Sequence, residues 1–224
     1  MAQPPRLGKA GNVRQFDFMC KTAGLLGALV ATIVYALPGN VDWPVNGGVD
    51  NIRYSKLAQI NRGNVGKLKV AWTYDSHDAF KGSEMQSNPV VVDGVLYATT
   101  PTMKVIALNA ETGAEIWKFD PSGGSGPQTR FRHRGVTVTG DRVFVTYRNY
   151  LWALDKKSGK PILSFGNEGR IDLRENLDQP ADRITISAST PVSIFEGMII
   201  MCSTVPETLR GSPGHICAFD VNAA

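Results

Sequence analysis

Ala107–Trp117 reads ALNAETGAEIW, and Ala153–Leu163 reads ALDKKSGKPIL. A third start, AFDVNAA, occupies Ala218–Ala224. The first two copies carry Thr112-Gly113 and Ser158-Gly159 at the same offset. A hairpin pattern precedes each copy. NPVVVDGVLYATT (Asn88–Thr100) turns at Asp93-Gly94, GVTVTGDRVFVTY (Gly135–Tyr147) at Gly140-Asp141, and TPVSIFEGMIIMC (Thr190–Cys202) at Glu196-Gly197. Short Val/Ile/Tyr/Phe runs around such pairs are strand–turn–strand signals. Each unit therefore reads as four short antiparallel strands, recurring about every 45 to 65 residues, which is the spacing of β-propeller blades. One four-stranded blade cannot bury both of its faces, so blades stack radially. Trp117 is expected to plug the gap to the next blade, and Leu163, its smaller copy, to do the same with less area. A β-sandwich also gives regular turns, but not a shared opening with a matched Gly offset. The third copy stops before its Gly and Trp. Since propellers typically close with 4–8 blades, the expectation is an all-β propeller cut short after about three.

The formal net charge is +4, and no Lys/Arg run is interleaved with aromatics. Nucleic-acid binding is therefore not expected. There are three cysteines, none in a CxxC pair. Cys202 and Cys217 fall in the last repeat and are expected as two separate reduced core thiols rather than a disulfide. Thr22–Leu37, TAGLLGALVATIVYAL, follows Arg6, Lys9, Arg14 and Lys21. A basic stretch, an apolar run and a small-residue site at Val34-Tyr35-Ala36 make residues 1–38 a signal peptide or membrane anchor. The run is short for a spanning helix of about 20 residues. The remainder is expected in the periplasm or on the outer face of the inner membrane. It divides into an entry segment (42–80), blades at 85–121 and 133–177, and an incomplete blade at 186–224.

From Asp42 onward the chain resembles the pyrroloquinoline-quinone (PQQ)-dependent dehydrogenases, eight-bladed quinoproteins that oxidise alcohols, sugars and polyols. Within them it looks closest to the membrane-associated glucose-dehydrogenase-like group. Four stretches in order carry the resemblance. DWPVNGGVDNIRYSKLAQINRGNVGKLKVAWTY (Asp42–Tyr74) is similar to the entry segment. MQSNPVVVDGVLYATTPTMKVIALNAETGAEIWKFDP (Met85–Pro121) is similar to a first blade with its tryptophan-docking motif. His133–Leu177 and Ser189–Val221 are similar to the second and third blades.

The resemblance implies a flat quinone bearing three carboxylates, which needs cations and hydrogen-bond donors. It also implies a divalent metal, Ca²⁺ or Mg²⁺, on oxygen ligands. Arg134, in HRGV, matches an arginine that pairs with a cofactor carboxylate; a guanidinium fork suits that role. Read from the residues alone, Arg130, Arg132 and Arg134 make a solvated basic face. Ser203 matches a carboxylate-contacting hydroxyl. Its partner position holds Ala188, so Ser187 or Ser189 is the substitute. Gln86 stands where relatives carry a quinone-contacting glutamate, with Glu84 as a shifted alternative. Glu207 matches a metal ligand.

His133 could lie near the pocket, whereas His77 and His215 read as surface or strand-end residues. The family's general base falls in a later blade. None of Asp155, Asp172, Asp178 or Asp220 matches it, so no catalytic residue is assigned. The absence of a vicinal cysteine pair favours a sugar or polyol substrate over methanol. The expected electron acceptor is a membrane quinone or cytochrome. The competing reading is a non-catalytic propeller that serves as a protein-interaction scaffold in the cell envelope, with no cofactor dependence.

Overall fold

The computed structural model describes residues 41–48, 51–124, 132–177, 179–206 and 214–223. The N-terminal segment read as a signal or anchor lies outside them, as does Glu207. Eleven strands form three separate antiparallel sheets among the described residues. The first holds β1 (Val90–Val92), β2 (Val95–Thr99), β3 (Val105–Asn109) and β4 (Glu115–Phe119), in that order. The second holds β5 (Thr137–Thr139), β6 (Arg142–Tyr147), β7 (Tyr150–Asp155) and β8 (Arg170–Asp172). The third holds β9 (Ser193–Phe195), β10 (Met198–Cys202) and β11 (Ile216–Asp220). The turns at Asp93-Gly94 and Glu196-Gly197 have positive φ at both central residues, as tight hairpins matching strand twist require.

Alternation along each strand divides the side chains between two neighbours. On β6, Val143, Val145 and Tyr147 join the core shared with the first sheet, while Phe144 joins the core shared with the third. Both faces of the middle sheet are thus buried, which is why its strands read as continuous apolar runs. The free face of the first sheet is covered by the entry segment, through Trp43, Trp72 and Tyr74.

Two tryptophans lock neighbours together in the same way. The Trp117 indole N–H donates to Lys156 O at 3.0 Å, and its ring lies on Gly159. A Cβ at Gly159 would come within 2.4 Å of that ring. The Trp72 indole N–H donates to Ala110 O at 3.2 Å, and its ring lies on Gly113. Asn109 and Asp155 shape the two receiving turns. Each side chain accepts backbone N–H groups of its own turn, from Glu111 and Thr112 and from Ser158 respectively.

Two expectations are corrected. Leu163 does not repeat the tryptophan: it is 73% exposed. Pro161 makes only a single bridge to Leu154, and the fourth strand forms later, at Arg170–Asp172. Proline lacks the N–H that a ladder needs. Phe165 fills the core instead, against Phe144 at 5.6 Å. Cys202 and Cys217 are free, as expected, but Cys202 is exposed rather than in the core. They are one register step apart on β10 and β11, and so point to opposite faces.

Candidate functional site

The segments that enter the innermost strands come together at one end of the sheets. Arg134, just before β5, lies between the other two. Its carbonyl accepts the Asn88 N–H at 3.0 Å, and its own N–H donates to Ser189 O at 2.8 Å. The leads into β1, β5 and β9 are thereby tied through one residue. Ser203 joins from the end of β10, because the adjacent Thr204 exchanges two backbone bonds with Ser187. Gln86, Arg134, Ser189 and Ser203, which come from separate stretches of sequence, are thus drawn to one region. Arg134 is exposed, and Gln86, Ser189 and Ser203 are half-buried.

Around Arg134 the side chains alternate. Arg132 and Arg134 are exposed and His133 is buried, 4% accessible. Arg132 pairs with Glu84 at 2.5 Å, which engages the carboxylate considered as a stand-in for the quinone-contacting glutamate. The Arg134 guanidinium has no acceptor among the described residues. Gly135 has φ +114, and a Cβ there would fall 2.8 Å from Asn88 O, so only glycine lets these segments approach.

His133 is held from both ring nitrogens. Gly135 N–H donates to Nδ1 at 3.1 Å, and Nε2 lies 2.9 Å from Thr146 Oγ1. The Thr146 hydroxyl donates to Ala188 O at 2.9 Å. Nδ1 is therefore the acceptor and Nε2 carries the hydrogen. Burial holds the imidazole neutral, pushing its pKa down from 6.5 to about 4. The sequence placed His133 near the pocket but gave no sign of this chain, whose members meet only in the fold.

The other ionisable groups have structural duties. Asp155 and Asp220 close their own turns, with Asp155 held below the usual carboxylate range by the Ser158 hydroxyl and amide. Although burial opposes it, hydrogen bonds from Arg174 and Asn149 bring Asp172 down to about 2. His77 is exposed beside Asp75, and His215 is exposed just before β11. Asp178 lies outside the described residues. No group of three or more His, Cys, Asp or Glu is arranged to hold a metal among the described residues.

A cavity of about 440 Å³ opens along the innermost strands, walled by Val90, Val136, Val138 and Val192. Asn88 links it to the Arg134 region. Its lining is uncharged, so any anion is met at the Arg134 end. A free guanidinium with two half-buried hydroxyls and an amide suits a planar polycarboxylate.

Comparison with known proteins gives a consistent picture. The model of the PQQ glucose/ethanol/alcohol dehydrogenase β-propeller domain matches residues 43–223. The dehydrogenase subunit of the quinone alcohol dehydrogenase of Gluconobacter oxydans is 44% identical over 50% of this chain and 15% of its own length. The quinoprotein glucose dehydrogenase of Escherichia coli is 29% identical over 81% of this chain and 26% of its own length. The crystal structure of the quinohemoprotein alcohol dehydrogenase from Comamonas testosteroni superposes with a TM-score of 0.62 at 28% identity. That match covers 81% of this chain and 26% of the solved one. The chain thus spans about a quarter or less of the length of these relatives.

Proposed function

This chain belongs to the PQQ glucose/ethanol/alcohol dehydrogenase β-propeller family, and from that premise we propose that it forms one wall of the cofactor site of an alcohol-oxidising quinoprotein. The observation that carries this reading is Arg134, tied by its backbone to two neighbouring sheets with its guanidinium free. Arg134 would meet a carboxylate of the quinone, with Ser189 and Ser203 donating hydroxyl bonds and Gln86 an amide. When bound, the quinone supplies the two-electron oxidising power for a CH–OH group. The chain's own residues bind and orient it. None of Asp155, Asp172, Asp178 or Asp220 matches the family's general base, so no catalytic residue is assigned to this chain. Glu207 is the proposed metal ligand from this chain, for Ca²⁺ or Mg²⁺.

The high identity to a quinone alcohol dehydrogenase favours alcohols over sugars as substrate class. The N-terminal pattern supports an exported protein that passes electrons to a membrane quinone or cytochrome. Titration with PQQ, followed by absorbance with and without Ca²⁺, tests the reading. The 224-residue chain should bind PQQ, Arg134→Ala should weaken binding at least about tenfold, and neither should oxidise 1-butanol with a dye acceptor. Equal affinity of wild type and Arg134→Ala, or no binding at all, would sink it.

A further inference from the structure

The two peptide planes flanking Arg134 are fixed from three directions. The plane before it donates to Ser189 O, and the plane after it accepts from Asn88 N–H. That second plane also donates, through Gly135 N–H, to the ring of His133. The other side of the same ring reaches Thr146, whose hydroxyl holds Ala188 O. Ala188 O belongs to the peptide plane that leads into Ser189. One buried imidazole therefore fixes the backbone on both sides of the proposed carboxylate contact, on the second sheet and on the lead into the third.

We propose that His133 is the positioning residue of this site, setting the directions of Arg134 and Ser189 toward a carboxylate ligand without touching it. The inference rests on the cofactor reading above. His133 cannot reach the ligand region itself, since its side chain points away from the exposed face that carries Arg132 and Arg134. Its bond to Gly135 N–H spans two residues, the reach of an asparagine in an Asx-turn. His133→Asn should therefore keep the branch to Gly135 and lose the branch to Thr146. His133→Phe should lose both, and Thr146→Val the second alone.

Two measurements on the 224-residue chain decide the matter. The first needs no ligand: amide hydrogen exchange at Gly135, whose N–H the imidazole holds, and at Arg134, whose N–H is held by Ser189 O on the segment that Thr146 fixes. His133→Phe should exchange faster at both, and His133→Asn only at Arg134. Unchanged protection at Gly135 in a folded His133→Phe protein overturns the proposal, whatever the cofactor. The second is PQQ affinity. His133→Phe should weaken it about tenfold, His133→Asn should restore most of the loss, and the effect should be clearly smaller in an Arg134→Ala background, where only the Ser189 branch is left to lose. Loss of affinity that adds fully to Arg134→Ala would mark a general structural defect and overturn positioning. A wild type that does not bind PQQ, with the exchange pattern as expected, would defeat the cofactor reading and leave the geometric role of His133 standing.

Discussion

At the scale of single residues, the site is a matter of protonation as much as position. His133 is neutral in the fold, with a pKa of about 4 against 6.5 when exposed. Between those values the unfolded chain binds a proton that the folded chain does not. Stability is therefore lost as the pH falls from 6.5 to 4, and the loss from this one group is about 3 kcal/mol. Urea unfolding of wild type and His133→Asn across that window checks it, and the variant should show the shallower slope. Asp172 acts in a lower range. Its pKa of about 2 means its contribution persists above 4 and is lost only as the pH falls below that. Arg134 was readable as a candidate because the HRGV motif is local. The role of His133 was not, because Thr146 and Ala188 reach it only when two sheets meet.

At the scale of strands and turns, the repeat was largely readable. Gly-containing turns gave the β1–β2, β3–β4, β5–β6 and β9–β10 hairpins, whereas β6–β7 turns at Arg148-Asn149 without a glycine, and the Trp117 contact follows from the Gly159 it rests on. The fourth strand of the second sheet was misread because ALDKKSGKPIL copies ALNAETGAEIW in letters while Pro161 cannot copy its hydrogen bonds. Gly159→Ala should be costly: φ is +69 and the new methyl meets the Trp117 ring. A loss of about 2–4 kcal/mol is expected, seen as a lowered melting temperature. The opposite is expected at Glu196, which holds φ +47 in a hairpin turn that asparagine favours. Glu196→Asn should raise stability by about 0.5 kcal/mol, measurable as a shift in urea midpoint with the slope unchanged.

For the whole molecule, the two outer faces differ. The entry segment covers the first sheet with Trp43, Trp72 and Tyr74, whereas the third sheet presents Phe195 (59% exposed), Met198 and Ile216 (74%) to solvent. Register places Phe195 opposite Met198 and Cys202 opposite Ile216, so these side chains share one apolar face. An exposed face of this kind drives association. The 224-residue chain alone should sediment as concentration-dependent oligomers, and Met198→Glu should shift it toward monomer. A sharp monomer boundary at all concentrations would contradict this. The asymmetry was only half legible in the sequence, since a strand's letters show which residues alternate but not which face finds a neighbour.

The paired tryptophan contacts also set an order on synthesis. Each indole waits for a carbonyl that lies further along the chain, 38 residues ahead for Trp72 and 39 for Trp117. At ribosomal speeds of about 5–20 residues per second, each of these two tryptophans stays unlatched for roughly 2–8 s after it is made. Assembly is thus vectorial. The entry segment is latched only when the first sheet emerges, and the first sheet only when the second does.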